Sequence, residues 1–340
     1  MVKISLVVVA MLLTLNGMAQ KKRTVTKRTA GTKAATNTTK KKTNGRVNKQ
    51  DVAANNNAGA PANDSLPIPM PKPSYEQDGA IERLLVRDRT PLAYEHLRED
   101  DAVYKQRVWR VIDTREKMNE PFRYDAEEDN GSQLFINILL TAIQKKDITV
   151  YDPIDDRFTT PLKKDDLLRS MVGEEKTISK PDWEKDPTGN TMKDSVIREM
   201  FNPSLITKYQ VKEEWIFDKE SSRLFVRIIG IAPLQDVVDP LTGMYRGEKK
   251  LFWMYYPKAR AMLSKAEAYN SKNYGARPTW EELFESRMFS SYIVKSTMEN
   301  PNNIFLDQMP ALKENGILRL YEGENIKNKI FDYEQNLWSY

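Results

Sequence analysis

The chain has 340 residues, no cysteine and one histidine, with 53 Lys and Arg against 48 Asp and Glu, a net charge of +5. These counts exclude disulfide stapling, a cysteine nucleophile and a zinc centre built on several histidines. Hydrophobic residues make up 40% of the chain, ordinary for a globular protein that holds itself together by burial.

Met1-Val2-Lys3 gives a positive start, and Ile4 to Leu15 is apolar apart from Ser5 and Thr14. Gly17-Met18-Ala19 then places small residues ahead of Gln20. Residues 1–19 therefore read as a secretory signal peptide, too short to span a bilayer comfortably. No cysteine stands at the cut to accept a lipid, and no later segment is apolar for long enough to cross a membrane. The mature protein is expected to be exported and soluble, without a membrane span, reaching any membrane through partners.

Residues 20–74 read as a disordered basic arm. Lys21, Lys22, Arg23, Lys40, Lys41 and Lys42 head its cations, and residues 21–50 contain no acid and no aromatic. Nothing in that stretch offsets the entropy of ordering it. Leu66 to Pro73 alternates proline, which favours an extended polyproline spacer. Lys3 and the eleven cations of residues 21–50 account for twelve of the 53; the remaining 41 face 48 acids, so residues 51–340 sum to −7. The basic character belongs to the arm. Its six named cations are candidate contacts for an anionic polymer or membrane surface, and a solvated spacer is the competing reading. Nucleic acid is not an expected partner, because the arm has no aromatic stacking platform.

Residues 75–340 read as an α+β fold, with mixed helices and antiparallel hairpins in one large or two intimate domains. Asp100 and Asp101 are placed to cap a helix running to about Met118, with Tyr104, Val108, Val111 and Ile112 as its buried stripe. A second helix opens at Asn130-Gly131-Ser132, with Leu134, Phe135, Ile138, Leu139, Ala142 and Ile143 on one face. Ile148 to Tyr151 and Arg157 to Thr160 read as short strands around the acidic turn Asp152 to Asp156. Tyr209, Val211, Trp215 and Phe217 alternate with polar residues, with Glu213 breaking the apolar face, and Lys219 to Ser222 turns the chain into Arg223 to Ile231. That is a β-hairpin. Leu251 to Tyr256 is apolar on both faces, as a central strand is. Pro257 suits the first turn of a following helix, and Thr279-Trp280-Glu281-Glu282 is a capping box ahead of Leu283, Phe284 and Met288. Gly323 to Trp338 carries Ile326, Ile330 and Phe331 on one helical face.

Residues that could carry catalysis are sparse. His96 stands alone, and there is no Walker A sequence, no G-x-G-x-x-G and no G-x-S-x-G. The loop Asp152 to Asp156 lacks the ligand alternation of an EF-hand and reads as a turn with solvated carboxylates. Glu213 and Glu214 point to opposite faces of a strand and cannot act as a glycosidase pair. A hydrolase using only Asp and Glu is a distant alternative. No catalytic, cofactor or metal residue is expected.

Pro91 to Phe122 resembles the GldN/PorN gliding-motility family, as do Gly131 to Leu139, the hairpin Trp215 to Ala232, and Leu251 to Arg260. The resemblance covers roughly residues 85–335. It implies a non-enzymatic structural subunit of the type IX secretion and gliding machinery. It further implies a periplasmic site on the inner side of the outer membrane, self-association in a ring with a PorK/GldK-like lipoprotein, and contact with a PorM/GldM-like motor protein. Trp109, Arg110, Arg115 and Trp253 are candidate partner contacts, since Trp and Arg are enriched at interface hot spots. The competing reading packs Trp109 in the core and makes Leu251 to Tyr256 a central strand. The alternative function is an exported binding module whose basic arm holds cell-wall or other anionic polymer.

Overall fold

A computed structural model describes residue 80 and residues 88–128, 131–172, 176–181, 192–197, 201–239, 243–273 and 275–338. All of them lie in one compact unit, Pro61–Tyr340. The signal peptide and the whole arm of residues 20–74, with its cations Lys21, Lys22, Arg23, Lys40, Lys41 and Lys42, lie outside the described residues.

The elements in chain order are β1 (Ala102–Asp113), β2 (Glu127–Glu128), β3 (Gly131–Ser132), α1 (Phe135–Lys145), β4 (Val150–Tyr151), α2 (Lys164–Val172), β5 (Lys176–Pro181) and β6 (Met192–Ile197). They continue with β7 (Ile206–Asp218), β8 (Arg223–Val238), β9 (Tyr245–Lys250), β10 (Trp253–Tyr255), α3 (Tyr256–Leu263), α4 (Trp280–Glu285), β11 (Tyr292–Ser296) and α5 (Gly316–Trp338). The main sheet is antiparallel and runs β11-β1-β7-β8-β10-β4, with β9 also paired to β8. β2 with β3, and β5 with β6, form separate small hairpins. The fold is α+β, as the sequence implies.

The expected hairpin is the spine of the sheet. β7 and β8 pair from Ile206↔Gln235 to Asp218↔Arg223, and the Asp218 carboxylate accepts from the Ser221 amide at 2.9 Å in the turn. β10 lies between β8 and β4, so the doubly apolar run is an inner strand. Pro257 sits in the first turn of α3. The capping box forms in full: the Glu282 amide donates to Thr279 Oγ1 at 3.1 Å, and the Thr279 amide donates to Glu282 Oε2 at 2.9 Å. α1 begins at Phe135, three residues after the expected opening, because Gly131–Ser132 is taken up by β3.

Two expected elements are overturned. The stretch from Asp100 is not a helix; only Glu99–Asp101 forms a single 3-10 turn, and Ala102–Asp113 is strand β1. The supposed stripe misled because Tyr104, Val108 and Ile112 share a face at either period. Val111 alone favoured the helix, and it is buried on the other face of the strand. The β-branched and aromatic residues of this stretch also fit a pleated sheet. Pairing with β7 along nearly its whole length, and with β11, then decides the outcome. Arg157 to Thr160 is not a strand either. The Asp155 carboxylate accepts from the Arg157 amide at 2.9 Å and from Thr159, and Phe158 takes a positive φ of 58°, so the chain curls instead of extending.

One sheet face buries an aromatic core against α1, α3 and α4. Phe122, brought in by the 3-10 segment Lys117–Arg123, sits at its hub. Its ring lies 5.4 Å from Phe135, 5.3 Å from Tyr209, 5.0 Å from Trp280 and 5.8 Å from Phe284. Farther along the same face, Val108, Trp215, Ile293 and Leu306 bury Ile326 and Ile330 of α5. Gly323 lets that helix approach, since a Cβ there would stand 3.0 Å from the Ile293 carbonyl oxygen.

A strap ahead of β1 ties down α3 and α4. The Leu92 amide donates to Glu281 at 3.1 Å, the Arg260 guanidinium donates to the Leu92 carbonyl, and the Tyr94 hydroxyl donates to Glu285. The Tyr94 ring stacks under Arg260 at 3.6 Å and Arg227 at 4.0 Å. His96, just beyond, is exposed.

Phe122→Ala is expected to lower the unfolding free energy by about 3–5 kcal/mol, the usual cost of emptying a packed aromatic site. Denaturant unfolding followed by tryptophan fluorescence measures this. A loss under about 1 kcal/mol would mean that the core collapses around the gap and that Phe122 is not its hub.

Candidate functional site

Directly paired residues in an antiparallel sheet share a face. The register Lys295↔Trp109, Trp109↔Lys212, Lys212↔Gly230 and Gly230↔Tyr255 is therefore one row across β11, β1, β7, β8 and β10. This row lies on the face opposite the aromatic core. Beside it, Trp109, Ala232 and Trp253 form a small buried cluster with Tyr151, Phe158 and Val294 against it.

The loop after β4 covers part of this face. Phe158 packs on Gly230, where a Cβ would stand 2.6 Å from the ring, so the close approach requires glycine. Asp156 accepts from the Trp109 indole at 2.9 Å, and its main-chain carbonyl accepts from Lys212 Nζ at 2.6 Å. The Asp156 carboxylate is 3.6 Å from the same ammonium. Lys212 Nζ also lies 5.5 Å from the ring centres of both Trp109 and Phe158.

Two more lysines converge here. Lys295 Nζ lies 4.4 Å over Trp109 and 4.9 Å from Phe305. Lys250, paired with Leu234 at the edge of the face, lies 4.6 Å over Trp253. Burial pulls Lys212 and Lys295 below the usual lysine range, against the opposing attraction of Asp156. Burial pulls Lys250 down to about 8, opposed by Asp156 and aided by the charges of Lys295 and Lys212. Three ammonium groups thus share one carboxylate on a face lined by indole rings.

The four candidate contact residues separate. Trp109 and Trp253 come together in this cluster, but they are only 4% and 0% exposed and face inward. Arg110 points to the other face of β1 and donates to Ser291 Oγ at 2.8 Å and to its carbonyl at 2.9 Å. Arg115 lies beyond the end of β1, exposed and paired with Asp113 at 2.6 Å. Sequence reading missed Lys212, Lys250, Lys295 and Asp156. The Asp152 to Asp156 turn is not simply solvated, since Asp156 is tied to Trp109 and Lys212. Lys212 stood on the polar side of a clear alternation; only the register shows that this side meets Trp109.

A second feature is a bare apolar ridge. Ile317, Leu318, Leu320 and Tyr321 fall on one face of the first turns of α5 and stay exposed, Ile317 at 65% and Tyr321 at 66%. A smaller group, Val237, Val238, Met244 and Tyr245, is exposed where β8 ends and β9 begins. Among the described residues no helix is long and apolar enough to cross a membrane.

Lys250 makes stability pH-dependent in a defined direction. Its folded value is about 8 and its ordinary value 10.5, so below pH 8 both states carry the charge and the native state bears the full burial penalty. Lys250→Met should therefore raise stability near neutral pH by about 1 kcal/mol after allowance for solvent screening. The gain should fade between pH 8 and 10.5. Thermal melts across that range in phosphate-free buffer check this; a gain that persists at pH 11 would contradict it.

The family model described as Gliding motility associated protein GldN matches residues 97–339. No curated protein matches the chain. The matched span takes in the whole sheet from β1 onward, both exposed apolar groups and the lysine cluster, and on this match the chain belongs to the GldN family of gliding-motility-associated proteins.

Proposed function

We propose that this chain is a non-enzymatic structural subunit of the type IX secretion and gliding machinery. It works in the periplasm, on the inner side of the outer membrane. It assembles in a ring with a PorK/GldK-like lipoprotein, which supplies the membrane anchor, and it contacts a PorM/GldM-like motor protein.

The observation that carries this reading is the α5 ridge. Four large apolar side chains on adjacent turns have no neighbour to cover them within the described residues. Contiguous exposed apolar surface of this kind marks a protein contact. Tyr321 and the aliphatic residues beside it are the materials of an interface core rather than its polar rim. The exposed group where β8 ends and β9 begins is chemically similar but sits on an unlike element. Two unlike patches suit the head-to-tail contacts from which rings close. Many such contacts hold together even where each is weak. Family membership in gliding motility supports the same role.

The test is co-purification from detergent-solubilised outer membranes. The wild-type chain should come down with an outer-membrane lipoprotein in particles far larger than a one-to-one complex. Ile317→Glu combined with Tyr321→Glu should keep the wild-type melting temperature and lose those particles. Elution of the wild-type chain alone would contradict the assembly role. Undiminished assembly of the double variant would remove α5 from the interface.

A further inference from the structure

We propose that Lys212, Lys250 and Lys295, with the indole N–H of Trp253, form a binding site for one dianionic phosphate group on the sheet face opposite the aromatic core. This site stands apart from the assembly role and does not depend on it.

The charge count motivates the site. Lys212 is matched by the Asp156 carbonyl at 2.6 Å and its carboxylate at 3.6 Å. Lys295 is only 6% exposed, yet among the described residues its ammonium has neither a hydrogen-bond acceptor nor an acid within ion-pair distance. Lys250 is half-buried, and among the described residues its ammonium likewise has neither an acceptor nor an acid within ion-pair distance; it lies over the Trp253 ring. Arg107 also faces Lys212; it is paired with Glu214 at 3.0 Å, which Lys105 shares at 2.9 Å, so this group brings no spare acid to the cluster. A buried ammonium without an acceptor is costly, and ring faces replace only part of its hydration. Lys295 is such a group, and with Lys212 and the half-buried Lys250 beside it a local surplus is left that the described residues do not neutralise.

A second observation points the same way. The Trp253 indole nitrogen is buried and has no hydrogen-bond partner, although the residue is 0% exposed. A buried N–H donor without an acceptor is uncommon and asks for one. It belongs to the ring over which Lys250 lies. Donor and cations therefore share a neighbourhood.

The size of the surplus selects the ligand. Three ammonium groups less one carboxylate leave a charge of two, which a phosphate dianion cancels and a single carboxylate does not. Phosphate also offers enough acceptor oxygens for three ammoniums and an indole at once. The depression of Lys250 to about 8 fits a cluster of cations waiting for its anion. The source is free inorganic phosphate or a phosphate monoester headgroup at a lipid surface.

The experiment is calorimetric titration of the full chain with inorganic phosphate near neutral pH. Saturable binding is expected. Lys295→Met and Lys250→Gln should each weaken it about ten-fold or more, while Lys250→Arg, which keeps the charge, should retain most of it. Asp156→Asn should tighten it, because it removes the one competing carboxylate and still leaves an acceptor for Trp109. A purely structural cluster would not show that gain. Sulfate keeps its charge across the range, so its affinity should fall as pH rises through about 8. Sedimentation with phosphatidic acid vesicles separates the two sources. Loss of vesicle binding in Lys295→Met assigns the headgroup, and unchanged vesicle binding with lost phosphate binding assigns the free ion. Wild-type protein that gives no saturable phosphate heat, or folded Lys295→Met and Lys250→Gln variants that bind as wild type, would overturn the site.

Discussion

The double burial of β1 and β7 is the constraint on which the rest of the structure depends. From Val108 to Ile112, and again from Tyr209 to Glu213, neighbouring residues that point to opposite faces are nearly all buried. An antiparallel sheet usually leaves one face to water. Here α1, α3, α4 and α5 take one face, and the loop carrying Asp156 and Phe158 takes part of the other. The charged groups buried in these two stretches therefore depend on partners inside the protein. Glu213, wholly buried, meets Arg287 at 2.9 Å and the Trp215 indole at 3.0 Å. Lys212, its neighbour on the other face, meets Asp156.

The two faces resolve that constraint differently. On the core face the single acid is matched and surrounded by aromatic packing, and breaking such a buried pair is strongly destabilising. On the opposite face the lysines outnumber the acid. Burial, with the charges of Lys295 and Lys212, pulls Lys250 down to about 8. A fold optimised for stability alone would replace such groups with apolar ones of similar volume. Groups whose titration is displaced by burial and like charge concentrate where proteins bind or react.

Much of the fold was legible in the sequence wherever a local rule decided the element. The β7–β8 hairpin follows from an alternation broken only at Glu213 and a polar turn, α4 from the Thr279 capping box, and α3 from Pro257. α1 was legible from its apolar face, with an error only at its start. β1 was not legible, because Tyr104, Val108 and Ile112 fit both periods and long-range pairing made the choice. The lysine cluster was hidden for a related reason. Lys212, Lys250 and Lys295 are far apart in the chain and meet Trp109 and Trp253 only once the register of β11, β1, β7 and β8 is set. Residue type marks Trp109 and Trp253 as contacts, yet they face inward, where they shape the cluster. α5 was half visible: of Ile326, Ile330 and Phe331, placed on one helical face, the first two are buried and Phe331 is exposed, whereas the bare turns from Ile317 to Tyr321 precede the stretch that the sequence pattern marks.

The central claim is that this GldN-family chain acts through surfaces that neighbours cover, with α5 foremost. Hydrogen exchange on the assembly purified from outer membranes, compared with the isolated chain, tests it most directly. Amides across the first turns of α5, from Ile317 to Tyr321, should exchange markedly more slowly in the assembly, while those of the already buried β7 change little. Equal exchange of α5 in both samples would contradict the claim.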